Sequence, residues 1–450
     1  MPAATPGTSR APDPDVVAAT RFLDRLFPPP RNVQIRLPDG TVLPADGSPA
    51  CTLVIGSPGA LRRMFRPPVE TSLGEAYLSG DLEVEGDLCQ AFPVVEACRT
   101  AARSPGDLLA LVRLWRALPR EGAGSAGPGR APARLAGATH TKDRDRAAVQ
   151  YHYDLGNDFY QLFLDPRMVY SCGYFPTGEE DLATAQELKL DHVCRKLRLR
   201  PGERLLDVGC GWGALLIHAA ERYGVEGVGI TLSERQRELA VRRVAGAGLD
   251  ARIQIRLQDY RELEGESFDK VASIGMFEHV GRARLPEYFA RIRAVLRPGG
   301  LFLNHGISRE ATAPRKTLLS VLLDPLNHLV VGTSPMTSSV FPDTELIALS
   351  DVNLAGERAG LEVRDVENLR EHYALTLRHW ITRLEANEAE AVRLVGRPTY
   401  RAWMIYFAAS AHRFENGRIS VNQTLFGRHE GGRVDVPLTR ADLYAPAPSA

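Results

Sequence analysis

The 450-residue chain has no surplus of either charge: 55 basic side chains are matched by 55 acidic ones. Proteins that hold nucleic acid by neutralising phosphates carry a basic excess, so that class is excluded and no nucleic-acid partner is expected. Cysteine is scarce as well. The six thiols, Cys51, Cys89, Cys98, Cys172, Cys194 and Cys210, include no C-x-x-C pair. Reduced cysteines are therefore expected, with neither a metal site nor a disulfide framework. No apolar stretch reaches the roughly 18 residues of a spanning helix, and the opening MPAATPGTSRAPDPD lacks the apolar core of a secretory leader, so a cytoplasmic protein is expected. There is no internal repeat. What is present is 44% hydrophobic and 24% charged residues in 49.4 kDa, a globular composition with room for more than one core.

The pattern along the chain divides it. Residues 1–15 are Pro- and Ala-rich and read as a frayed tail. Across residues 16–105 the runs FLDRLF, VQIRL, TLVIG and LEVEG alternate with Gly and Pro turns, which predicts a small α+β domain without a catalytic cluster. Residues 106–146 read as a helix and then a flexible Gly/Ala/Pro/Arg linker, PREGAGSAGPGRAPARLAGA. From 147 to 430 the apolar runs RLLDV, GVEGVGI, IQIRL, KVASIG and LFLNH alternate with the helical segments ALLIHAAERY, ERQRELAVRRVAGAG and LPEYFARIRAVL. That alternation predicts a doubly wound, mostly parallel α/β sheet, with ligands bound beyond the carboxyl ends of its strands. Residues 431–450 read as a C-terminal tail.

The run Asp207-Val208-Gly209-Cys210-Gly211-Trp212-Gly213 leaves a strand through a glycine turn into a helix. Glycines spaced G-x-G-x-G let backbone approach a ligand where a Cβ would collide. A dinucleotide site wants its third glycine one residue later. The second strand ends in Gly229-Ile230-Thr231-Leu232-Ser233, Gln258-Asp259 follows the third, and Leu296-Arg297-Pro298-Gly299-Gly300 precedes the fifth. This ordered set resembles class I S-adenosylmethionine-dependent methyltransferases, which implies a Rossmann-like seven-stranded sheet with helices on both faces. Thr231 stands where most of that superfamily has an acidic residue.

A narrower resemblance rests on VQYHYDLGNDFYQLFLDPRMVYSCGYF, LLDVGCGWG, ITLSERQ, SIGMFEHVG, EHYALTLRHW and the spaced Tyr406, Phe414, Gln423 and Phe426. These are similar to the cyclopropane fatty-acyl-phospholipid synthase family over roughly residues 147 to 427. The resemblance implies that Tyr170, Ser171, Asp207, Gly209, Cys210, Gly211, Trp212, Gly213, Thr231, Leu232, Ser233, Gln236, Gln258 and Asp259 line a pocket for S-adenosylmethionine. The polar members among them can also be ordinary strand-end groups. It implies further that a bicarbonate ion serves as base, cradled by backbone at Cys172 and Ile307 and by the side chains of Glu278 and His305. A buried imidazole bonded to a neighbouring carbonyl is the alternative for His305.

The expected reaction moves the sulfonium methyl to the cis double bond of an unsaturated phospholipid acyl chain, and loss of a proton from the new methyl closes a cyclopropane. It requires apolar walls, for which Tyr151, Tyr153, Phe159, Tyr160, Phe163, Tyr170, Tyr174 and Phe175 are candidates, with an aromatic core as the alternative. Two departures from the family stand out. Its tyrosine two residues before a Phe-Pro pair is replaced by Ser339, too short to stand in for a phenol, and Ser410 occupies a position that is often cysteine. The first opens a rival outcome, methyl or methylene branching of the same chain. A rival of another class is a non-catalytic lipid-binding protein on this fold. The segment Arg315–Val331, two cations followed by an apolar run, and the arginine-bearing linker suggest peripheral, transient contact with the inner membrane surface, a buried helix and a plain spacer being their alternatives. The N-terminal domain is read as lipid-binding or as holding two subunits in a homodimer; the sequence leaves both open.

Overall fold

The computed structural model describes residues 13–93, 104–120, 137–153, 155–311, 343–434 and 436–444. The linker from 121 to 136, the segment 312–342 with Ser339 and the apolar run, Cys98, and both chain ends lie outside the described residues. The chain divides into two compact units.

In the first unit, α1 (Pro14–Leu26) is followed by β1 (Val33–Arg36), β2 (Val42–Leu43), β3 (Cys51–Ile55), α2 (Ala60–Met64), α3 (Val69–Ser79), β4 (Leu82–Gly86) and α4 (Pro105–Ala117). Asp13 and Ser104 cap α1 and α4 by accepting from backbone amides, each ahead of a proline in the first turn. The sheet order is β2-β1-β3-β4, with β1 and β3 parallel. Its alternating strands bury Val33, Ile35, Leu53 and Ile55 against Phe22, Leu23, Leu61 and Met64. The described part of this unit extends past residue 105: Leu111, Leu114 and Trp115 of α4 pack on the same core, and Leu118 is buried in it.

The second unit opens with α5 (Lys142–Tyr153), α6 (Asn157–Gln161) and α7 (Leu182–Leu197). The alternation then runs β5 (Arg204–Val208), α8 (Ala214–Tyr223), β6 (Glu226–Thr231), α9 (Glu234–Gly246), β7 (Ile253–Leu257), β8 (Phe268–Ile274), α10 (Leu285–Val295) and β9 (Leu296–Arg309). It closes with β10 (Ile347–Ala348), α11 (Leu349–Arg358), β11 (Glu362–Asn368), α12 (Arg370–Ala386), α13 (Glu388–Val395), α14 (Arg397–Glu415), β12 (Ile419–Gly427) and α15 (Ala441–Tyr444). Seven strands lie in the order β11-β12-β9-β8-β5-β6-β7, and the two-residue β10 adds to β9 off this path. Strands β5 to β9 are mutually parallel, while β12 runs antiparallel between β9 and β11. This is the mostly parallel α/β sheet expected.

The continuous apolar runs follow from burial on both faces. Leu205, Leu301 and Leu303 face one cluster with α7 and α8, whereas Leu206, Val208 and Phe302 face a second with α10 and α11. Chain order reverses between β5 and β8, so the loops after these strands open a crevice at their carboxyl ends. Residues 440–443 are tied to this unit: Leu443 is buried, Asp442 pairs with Arg198 at 2.9 Å, and Arg440 pairs with Asp365. Among the described residues no helix is long and apolar enough to cross a membrane.

Candidate active site

The glycine loop leaves β5 with Gly209, Gly211 and Gly213 all at positive φ, +84°, +54° and +82°. The amides of Gly209 and Cys210 donate to Ile230 O at 3.0 Å, which ties the loop to β6. A Cβ on Gly211 would meet nothing within 4 Å. It would stand in the pocket itself, whose wall is formed by Tyr170, Ser171, Asp207, Gly209, Cys210, Gly211, Trp212, Thr231, Leu232, Gln236, Gln258 and Asp259. Gly213 and Ser233 stand behind that wall: each is the N-cap of a following helix, and the Ser233 hydroxyl accepts from the Gln236 amide. The Thr231 hydroxyl donates to Gln236 Oε1 at 2.7 Å, and the Gln236 side chain also bonds the Tyr153 phenol. Trp212 is held by Asn157, which accepts its indole N–H at 2.8 Å.

Charges in the pocket are paired across elements. Arg261 donates to both oxygens of Asp259, at 2.8 and 2.6 Å, and to Asp145 of α5 at 3.0 Å. Burial alone would raise the Asp259 carboxyl, but the Arg261 guanidinium and amide hold it below the usual range. Asp207 has no such fork and is pushed up to about 7 by burial, against the opposing pull of Lys189.

Beyond β8 and β9 lies a second set of polar groups. Gly275 N donates to His305 O at 2.8 Å, so the turn carrying Glu278 is fastened to the β9 end. His305 and Ile307 are two apart on β9, and the Ile307 amide donates to Glu278 Oε1 at 2.7 Å. Ile307 thus orients the carboxyl, and its amide is spent there. Glu278 Oε2 and His305 Nε2 are buried with no hydrogen-bond partner among the described residues. Gln423 Nε2 donates to His305 Nδ1 at 3.0 Å, which leaves the ring proton of the neutral imidazole on Nε2. Burial pulls His305 down to about 3, keeping it neutral, and pushes Glu278 up to about 7. Burial also raises the Cys172 thiol, which donates to Gly173 O at 3.2 Å, so it is no nucleophile.

Residues 140–424 match the family described as mycolic acid cyclopropane synthetase. The chain belongs to this family. It is an S-adenosylmethionine-dependent methyltransferase of the cyclopropane-synthase type that modifies lipid acyl chains. A probable fatty acid methyltransferase of Pseudomonas putida is 39% identical over 92% of this chain and 96% of its own. The cyclopropane-fatty-acyl-phospholipid synthase of Escherichia coli is 36% identical over 66% of this chain and 72% of its own. A mycolic acid cyclopropane synthase solved with SAH and CTAB superposes with a TM-score of 0.57 at 35% identity, covering 63% of this chain and 98% of that one.

The glycine-loop pocket of the methyltransferase fits its cofactor: the open space beside Gly211 is a cradle that any side chain would fill, and Gln258, Asp207 and Lys189 offer groups to a zwitterionic ligand. The aromatic residues divide between pocket and core. Tyr153 and Tyr170 line the pocket, whereas Phe159, Tyr160 and Phe163 are fully buried against Trp403 and Phe407. Ser410 lies on α14, its side chain bonded to the Tyr406 phenol.

Several residues of the methyltransferase site carry weak sequence signals. Tyr373 on α12 is a buried phenol whose ring packs on Trp380 and Phe414, and burial raises it well above the ordinary range. Its only signal is the phrase EHYALTLRHW. Lys189 and Gln186 interrupt the apolar stripe of α7 at Ala185, Leu190, Val193 and Cys194, which is a legible anomaly. Nothing in QDYRELEG marks Arg261 as buried.

Proposed function

We propose that this methyltransferase acts on the cis double bond of an unsaturated phospholipid acyl chain, forms a cyclopropane, and docks transiently on the cytoplasmic membrane surface to do so. The observation that carries the reading is the pair of buried, unpartnered atoms, Glu278 Oε2 and His305 Nε2, beside the cofactor pocket. Leaving such groups unsatisfied costs about 1–3 kcal/mol each, so their retention argues for a polar occupant.

S-adenosylmethionine, when bound, supplies an electrophilic methyl group. The protein's part is to hold an alkene in line with it, to tolerate the carbocation left on the acyl chain, and to take a proton from the new methyl. Ring faces at Tyr153 and Tyr170 tolerate a cation without trapping it. His305 Nε2–H and a Glu278 carboxyl still protonated near neutrality both donate, and together they suit a small oxyanion. Bicarbonate is the candidate, supplying a base there. Glu278 is pre-set by Ile307 and His305 by Gln423, so neither has to reorganise.

A second reading, methyl or methylene branching of the same chain, is favoured by the name of the Pseudomonas putida relative. One experiment separates the two. Labelled S-adenosylmethionine and mono-unsaturated phospholipid vesicles are incubated with the enzyme, with and without added bicarbonate, and the acyl chain is solved by NMR and ozonolysis. A cyclopropane formed in a bicarbonate-dependent way supports the first reading. A methyl or methylene branch replaces it, and unmodified lipid overturns both.

A further inference from the structure

Residues 171–175 form a strap that is neither helix nor strand, and two helices hold it. Its cofactor end belongs to α7: Gln186 Nε2 donates to Ser171 O at 2.8 Å and Lys189 Nζ to Ser171 Oγ at 3.0 Å. Its other end belongs to α12. There Gly173 N donates to Thr376 Oγ1 at 2.9 Å and Phe175 N to His372 Nδ1 at 3.0 Å. His372 and Thr376 are four apart, so they share one face of the helix. The Thr376 hydroxyl spends its proton on His372 O at 2.7 Å, which leaves its oxygen to accept. The His372 ring also stacks on Tyr174, with centroids 5.0 Å apart and planes 12° apart. The fit is close: a Cβ at Gly173 would stand 3.0 Å from the Phe175 ring and 3.4 Å from Thr376 Oγ1.

This clasp isolates one amide. Among the described residues the amides of Gly173, Tyr174 and Phe175 all have acceptors, the second in Ala185 O at 3.0 Å, while the Cys172 amide has none. Cys172 is fully buried, where an unpaired amide is costly. Its contacts lead to the end of β9. Cys172 Sγ lies 3.7 Å from Leu369 O, Leu369 N donates to Val421 O at 2.9 Å, and Val421 pairs with Ile307, whose own amide holds Glu278. Glu278 Oε2 and His305 Nε2 lack partners in the same neighbourhood.

We propose that His372 and Thr376 are positioning residues for the reaction: from one face of α12 they hold residues 173–175 so that the Cys172 amide is presented to the oxyanion between Glu278 and His305. The inference rests on the reading of that cradle as a bicarbonate site. Turnover of the full chain on mono-unsaturated phospholipid vesicles is measured against bicarbonate concentration in degassed buffer, with calorimetric binding of S-adenosylmethionine alongside. Thr376→Val and His372→Phe keep the shape and remove the acceptor, whereas Thr376→Ser and His372→Asn keep an acceptor in place. The first two should raise the half-saturating bicarbonate concentration about tenfold, the scale of one buried amide losing its acceptor, with kcat restored at saturation. Their cofactor affinity should be unchanged, because α7 holds the cofactor end separately and neither residue lines that pocket. The acceptor-keeping variants should stay close to wild type. A fall in turnover that bicarbonate does not restore is the mark of a merely structural role and overturns the inference. An unchanged bicarbonate requirement in Thr376→Val and His372→Phe, or an equal defect in the acceptor-keeping variants, overturns it too. Should one of the first two fail to fold, the other decides. A wild type whose turnover is independent of bicarbonate overturns the base reading itself, and this inference goes with it.

Discussion

Replacing Glu278 by glutamine should make the enzyme more stable and nearly inactive, and the structure gives the size of the first effect. Glutamine keeps an oxygen for the Ile307 amide, at 2.7 Å in the parent, and changes only the unpartnered side of the carboxyl. Burial raises the native Glu278 from 4.5 to about 7. The folded protein therefore retains this proton at pH values where the unfolded chain has released it. Between about pH 4.5 and 7 the wild type loses stability as pH rises, while the glutamine variant has no proton to hold. A shift of that size is worth about 3 kcal/mol. The stability difference between variant and wild type should thus grow in the variant's favour by about 3 kcal/mol from pH 4.5 to 8. Urea unfolding followed by tryptophan fluorescence reads it, since Trp212, Trp380 and Trp403 all belong to the second unit. Turnover should fall about a hundredfold or more, the scale of losing the base that Glu278 is proposed to hold. Parallel pH–stability curves for the two proteins would refute the burial argument. Full turnover in the variant would remove Glu278 from the chemistry.

Further outcomes follow from the same geometry. Gly211→Val puts a branched side chain into the cofactor space at φ +54°, and calorimetry should find no binding of S-adenosylmethionine by a protein that still folds. Arg261→Ala removes the guanidinium shared by Asp259 and Asp145, leaving Asp259 only the backbone amide of residue 261 and Asp145 only its contact with His140; it should lower stability by about 3 kcal/mol and weaken cofactor binding, both read by thermal shift with and without cofactor. Gly306→Ala would bring a Cβ to 1.8 Å from the Phe277 ring, next to Glu278. Denaturation should show a loss of about 1–3 kcal/mol, and turnover should fall with it.

Each glycine named above is visible in the sequence, but only some announce their reason. Gly211 does, because a G-x-G-x-G turn after an apolar run has few other uses. Gly306 does not, since its constraint is a ring from another segment. The same distinction runs through the fold. The apolar runs RLLDV and IQIRL are themselves the strands β5 and β7, because burial on both faces writes itself locally as hydrophobic character. The charged partners of the site are long-range pairs: Arg261 with Asp145 is 116 residues apart and Gln423 with His305 is 118. No local period encodes such a pair. Lys189 is the intermediate case, a cation placed on an apolar helical stripe. There the local pattern is broken, and the break points to a compensating partner elsewhere in the fold without naming it. The Ser171 hydroxyl, which accepts from Lys189 Nζ at 3.0 Å, and the charge of Asp165 are that answer, and both come from the segment between α6 and α7.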